Sequence, residues 1–268
     1  MTVSDLVSGT EPGHDSAGPL LDAKTNSAAA LWALFLGIAF LMLGNGLQGS
    51  VVGIRTQSEG FSTAVAGLIM VCYFVGFLAG GRAATAALTA VGHIRVFAAL
   101  ASMASTAAIV HALVVHPVSW ALMRFVTGMC MAGLFIVVES WINDMATNAN
   151  RGRLLALYMV VTMGSMGFGQ LLLNVASPDG TDLFVIASVL VSLSLVPITL
   201  SATSTPPISV PRAMPARELA GIIPTGLTVA FLVGMAQLTG WTTRAWTMAA
   251  VDAIEANAAN TRMWPTAV

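Results

Sequence analysis

The chain has 268 residues, of which 56% are hydrophobic and 9% charged, with a mean hydropathy of +0.83. A soluble domain of this length carries about a quarter charged residues because its surface faces water; this one must turn most of its outside to lipid, which excludes an ordinary cytosolic enzyme. The net charge of −1 and pI near 6.4 supply no basic field for nucleic acid.

The first residues are polar, with Asp5, Glu11, Asp15 and Asp22 against Lys24. They lack the basic start and small-residue cleavage site of a secretory signal, so residues 1–27 are expected to form a disordered cytoplasmic tail. A helix that crosses the hydrocarbon core needs about 20 apolar residues, and the stretches between charges supply six: 28–52, 61–81, 96–115, 118–138, 154–175 and 183–200. Backbone groups in lipid must be paired within their own segment, so the fold class is all-α, a polytopic membrane helical bundle. His116-Pro117 suits a tight turn between the third and fourth spans. Cys72 and Cys130 lie in apolar runs and read as small buried hydrophobes.

Basic residues near span ends set the orientation. With the N-terminus inside, Lys24, Arg82, Arg95, Arg151, Arg153, Arg212 and Arg217 are cytoplasmic and only Arg55 lies opposite. This predicts a multi-pass protein of the plasma (inner) membrane. After Leu200, residues 201–219 are rich in Ser, Thr and Pro and read as a cytoplasmic linker. Residues 220–243 are long enough for a seventh span, and 244–268 read as a polar, disordered tail.

Several polar groups fall inside the spans. Arg124 sits in the fourth, where a guanidinium costs about 2.5–3.5 kcal/mol on insertion scales; either it snorkels to the headgroups or it faces the bundle interior and serves a substrate or proton pathway. Asn45 and Gln48 share a face of the first span, either bonding neighbouring helices or lining a polar route. Gln170 repeats the theme in the fifth. Glu139, with Trp141, Asn143 and Asp144, reads as an interfacial anchor that faces Arg151 and Arg153 across a loop. Gly76 and Gly80 form a small-xxx-small contact pair, and Gly164 and Gly167 are further packing candidates. His111 and His116 have no carboxylate neighbour in sequence, and no metal, cofactor or enzyme motif can be drawn: Gly164-Ser165-Met166-Gly167 has the wrong spacing for a membrane serine protease.

Three stretches carry a family resemblance: Leu41-Met42-Leu43-Gly44-Asn45-Gly46-Leu47-Gln48-Gly49, Val91-Gly92-His93-Ile94-Arg95-Val96-Phe97 and Val138-Glu139-Ser140-Trp141-Ile142-Asn143. Together with the order of spans, they resemble the N-terminal six-helix half of the major facilitator superfamily, in a bacterial permease subgroup of undefined substrate. The resemblance runs from about Leu31 to Leu200. Arg124-Phe125-Val126-Thr127-Gly128 is similar to the family's Arg-x-x-x-Gly motif, which implies a coupling or passage role for Arg124 and a packing role for Gly128. Gly92 and Arg95 match the family's loop between spans two and three, which implies a gating role, although Thr89 and Ala90 replace its usual Asp and basic residue. The implied function is secondary active transport of a small solute, with proton coupling, by two six-helix halves that rock about a midplane site. The second half is expected to be missing through an early stop or frame shift, leaving the chain inactive alone. The alternative is a non-transporting polytopic membrane protein that acts as a partner or regulator.

Overall fold

The computed structural model describes residues 17–200, together with the isolated helical positions Thr225, Thr228 and Leu232. The expected linker, seventh span and tail lie outside the described residues apart from those three positions. The helices are α1 (Ala17–Ser58), α2 (Thr63–Val91), α3 (His93–Leu113), α4 (Pro117–Met145), α5 (Arg151–Leu171), α6 (Asp182–Leu193) and the short α7 (Leu195–Leu200). Among the described residues, six stretches are long and apolar enough to cross a membrane: Ala29–Ser58, Thr63–Gly81, His93–Leu113, Pro117–Met145, Arg151–Asn174 and Asp182–Leu200. They match the six read from the sequence, and the molecule is an all-α, polytopic membrane bundle. α1 starts at Ala17, so helix takes in residues 17–27 of the expected tail; Ala, Leu and Lys there are good helix formers, and they continue an apolar helix already nucleated.

Local chemistry sets the ends. Gly60, at φ 72°, stops α1 in the left-handed conformation that glycine adopts without strain. Ser62 caps α2, accepting from the Val65 amide at 3.4 Å. A single residue, Gly92, ends α2 and starts α3 at φ 88° and ψ 170°, a backbone that L side chains avoid. The His116-Pro117 pair proves to be a helix start: His116 Nδ1 accepts from the Val118 amide at 3.3 Å, and Pro117 takes the first helical position, where its missing N–H costs nothing. The last span breaks at Ser194, three residues before Pro197, whose ring cannot supply the next helical hydrogen bond.

The helices pack as neighbours in the order α2, α4, α3, α6, α1, α5, and α1 and α4 meet only lightly. The tightest seams run backbone to backbone. A Cβ on Gly76 would collide with the Phe125 carbonyl, one on Gly80 with the Met129 carbonyl, and one on Gly128 with the Tyr73 carbonyl, which locks α2 onto α4. α1 meets α5 in the same way through Gly46 against Met166 and Gly169 against Leu43. Around Gly164 and Gly167 there is open space; of these three α5 glycines, Gly169 makes the contact. The difference is helical phase: at 100° per residue, Gly164 and Gly167 lie on the outward side.

Two apolar clusters fill the interior. One gathers Leu34, Ile38 and Met42 of α1 with Phe97, Met131, Leu134 and Trp141; the other gathers Leu47, Val51, Ile69, Trp120, Leu183 and Phe184. Polar side chains occupy the level where one gives way to the other: Asn45 and Gln48 on α1, Arg124 and Thr127 on α4, Ser105 on α3 and Ser188 on α6. Ser105 Oγ lies 2.7 Å from Ser188 Oγ and 2.9 Å from Ser192 Oγ, so α3 and α6 are joined there by hydroxyls. The outer faces are apolar, with Phe74 and Leu78 of α2 and Val160 and Phe168 of α5 exposed, as contact with lipid tails requires.

In a free helix, glycine to alanine raises stability by about 1 kcal/mol. At a carbonyl collision overpacking of about 1–3 kcal/mol reverses the sign. Gly76→Ala and Gly128→Ala are therefore expected to lower the thermal midpoint of the detergent-purified protein, whereas Gly164→Ala and Gly167→Ala hold or raise it.

Candidate functional site

Arg124 stands about two turns into α4. It is 6% exposed, while Val118 and Leu122 of the same helix, exposed by 69% and 56%, face outward. The guanidinium therefore turns to the interior, and the snorkelling alternative is set aside. Its carbon lies 4.4 Å from the centroid of the Tyr73 ring, and Nη2 lies 4.0 Å from Met70 Sδ, both on α2. The locking glycines set this geometry: Gly128 presses against the backbone of Tyr73 one turn beyond Arg124. A desolvated cation–π contact supplies about 2 kcal/mol, which offsets part of the insertion cost and leaves the charge without an anionic partner. Among the described residues the salt bridges are Arg55–Glu59 and His93–Asp144; Arg124 has neither a carboxylate nor any hydrogen-bond acceptor for Nε.

Asn45 is half-buried and lies near Tyr73. Gln48, one turn further along the same face, is 1% exposed, and neither its Oε1 nor its Nε2 has a partner among the described residues. Further along α1 the Met70 methyl would lie 3.5 Å from a Cβ on Gly53, which brings α2 against this stretch of α1. The structure thus brings Arg124, Asn45 and Tyr73 together, with Gln48 on the adjoining turn. Gln170 is exposed on α5, and no described contact joins it to this group.

An aromatic group closes the end of the bundle that holds Arg55. His111 is fully buried; its Nδ1 donates to the Ala107 carbonyl at 2.7 Å, its ring stacks on Phe184 at 5.9 Å and 8°, and Trp120 lies 5.7 Å away. Trp120 Nε1 donates to the Val114 carbonyl at 2.9 Å, which anchors the α3–α4 connection. Beside this group Arg55 is held by Glu59 at 2.6 Å and donates to the carbonyls of Gly180 at 2.9 Å and Pro178 at 3.3 Å, so the end of α1 is tied to the loop before α6.

At the other end, Gly92 makes the tight reversal between α2 and α3, and the residue after it, His93, is buried. His93 Nε2 lies 3.2 Å from Ser140 Oγ and 3.6 Å from Asp144 Oδ2, with Trp141 5.7 Å away. Glu139 accepts from the Tyr158 hydroxyl at 3.4 Å. Arg95, Arg151 and Arg153 are exposed. His93 and Tyr73 had no place among the candidate residues; a histidine directly after a lone glycine hinge, facing a Ser-Trp-x-x-Asp run, was the available signal for His93.

Removing the ring from under the guanidinium has a calculable effect. In a double-mutant cycle of Tyr73→Leu and Arg124→Met, read by thermal denaturation, the coupling energy is expected at about 0.5–2 kcal/mol. Tyr73→Phe is expected to retain most of it.

No protein-family model matches the chain. Among curated proteins it is similar to the uncharacterized MFS-type transporter YcaD of Escherichia coli, with 30% identity over 146 residues in the O139:H28, K12 (DH10B) and O157:H7 (EC4115) strains alike. Each match covers 54% of this chain and 38% of the relative, so well under half the length of these relatives is represented. The resemblance to the major facilitator superfamily therefore has support from a named relative, and the six candidate membrane helices are consistent with one half of that architecture.

Proposed function

We propose that the chain is the six-helix half of a secondary active transporter of the major facilitator type, moving a small solute with proton coupling across the plasma membrane. In this reading the N-terminus is cytoplasmic, which places Arg82, Arg95, Arg151 and Arg153 on the positive side of the membrane. A second six-helix half completes the solute path beside α1 and α4, which meet only lightly. The observation that carries the proposal is the Arg124 guanidinium: buried midway between two apolar clusters, aimed inward and lacking an anionic partner among the described residues. Such a charge is costly for a merely structural bundle. The similarity to an MFS-type transporter supports the same reading.

Gly92, Arg95, Glu139, Arg151 and Arg153 belong in this scheme to the cytoplasmic gate, with His93–Asp144 as the contact that joins the α2–α3 hinge to α4. Asn45 and Gln48 line the path beside Arg124. Gln170, exposed on α5, reaches the path only against the second half.

Joined to a second six-helix half and reconstituted into proteoliposomes with an imposed pH gradient, the twelve-span protein is expected to accumulate members of a panel of radiolabelled organic acids, amino acids and sugars, with a protonophore abolishing the uptake, whereas the 268-residue chain alone shows none. Arg124→Ala is expected to insert normally yet drop uptake to the level of empty liposomes. Unchanged uptake by that variant contradicts the assignment.

A further inference from the structure

The acidic residues of the described bundle stand at its two ends. Glu59, Asp179 and Asp182 lie at one, Asp22, Glu139 and Asp144 at the other. Arg124 lies between them, and its polar or polarizable contacts among the described residues are a ring and a thioether. A guanidinium does not release its proton at any physiological pH, so Arg124 is a fixed positive charge and not itself a proton carrier. It repels a cationic solute and gains little from a neutral one.

What the fork of N–H groups matches is an oxyanion, which it can hold through two parallel charge-assisted bonds. The unpartnered Nε provides the start of that fork. Gln48, also without partners among the described residues, is buried on α1 at the polar level between the two apolar clusters and offers an amide donor. Unsatisfied buried polar atoms are rare in folded proteins, and Gln48 and Arg124 both carry them at the polar level between the two apolar clusters. A lipid phosphate does not reach this charge from the outer surface, since Arg124 is turned away from the exposed face of α4.

We propose that the transported solute carries a carboxylate or phosphate group, held by Arg124 with Gln48 as a second donor. The inference rests on the transporter reading, and binding can be measured without transport. The purified protein in non-ionic detergent, at constant ionic strength, is heated with acetate, lactate, succinate or inorganic phosphate, and separately with acetamide or ethanolamine. At least one of the anions is expected to raise the thermal midpoint saturably, and the neutral and cationic compounds not to.

Arg124→Gln is expected to weaken the anion response by at least about tenfold. Gln48→Glu supplies the missing carboxylate internally; it is expected to raise the midpoint and remove the response to added anion. Should Arg124→Gln fail to fold, Gln48→Glu alone still decides the matter. The proposal is overturned if no anion in the panel acts, if the neutral or cationic compounds act equally, if the response survives Arg124→Gln, or if only added phosphatidylglycerol produces it. An anion response without flux in proteoliposomes of the twelve-span protein would sink the transporter reading and keep the site; flux of a cationic or neutral solute with no anion response would do the reverse.

Discussion

The backbone contact between α2 and α4 determines where the buried charge of this bundle can sit. Hydrocarbon offers helices no hydrophobic reason to associate, so they come together where small residues let main chains touch. Gly76, Gly80 and Gly128 put no side chain of their own into the crossing, and the carbonyls of Phe125, Met129 and Tyr73 fill the vacated space. This closeness carries the Tyr73 ring under Arg124. A wider crossing would leave the guanidinium without the ring that makes its burial tolerable. The seam between α1 and α5, through Gly46 and Gly169, follows the same rule at the other end of the helix order.

On that frame the interior is layered. Apolar side chains fill both halves, and the polar groups collect at the level between them. Where hydroxyls can meet, as at Ser105, Ser188 and Ser192, they satisfy one another and join α3 to α6. On α1 and α4 they do not: Gln48 and Arg124 keep unpartnered atoms. One flank of the layer is therefore joined by hydrogen bonds, while the other keeps buried polar atoms without partners among the described residues. The two ends are fastened differently, by Arg55 to Glu59 and the Gly180 carbonyl on one side and by His93 to Asp144 and Ser140 on the other.

The spans were legible in the sequence because hydropathy and charge spacing act over about 20 residues and do not depend on neighbours. Arg124 was legible for the same reason, as a charge inside such a run. Its partner was not: Tyr73 is one aromatic among several in an apolar helix, and only the crossing at Gly128 selects it. The glycines show the same limit. Composition marks Gly164 and Gly167 as readily as Gly169, yet which of them meets a neighbour depends on the rotation of α5, and an apolar helix with little periodicity does not encode that rotation. His93 and His111 became informative only through what surrounds them, a carboxylate in one case and stacked aromatics in the other.

The central claim is that the face bearing Gln48 and Arg124 lines a path for water and solute. It is tested most directly by thiol accessibility in reconstituted protein with Cys72 and Cys130 replaced by serine. Gln48→Cys is expected to react with membrane-impermeant methanethiosulfonates, and faster with the sulfonate-bearing reagent than with the trimethylammonium one because of the nearby guanidinium, while Leu78→Cys on the lipid face stays unlabelled. A position 48 as unreactive as position 78, or one with the opposite charge preference, would contradict a solute path along this face.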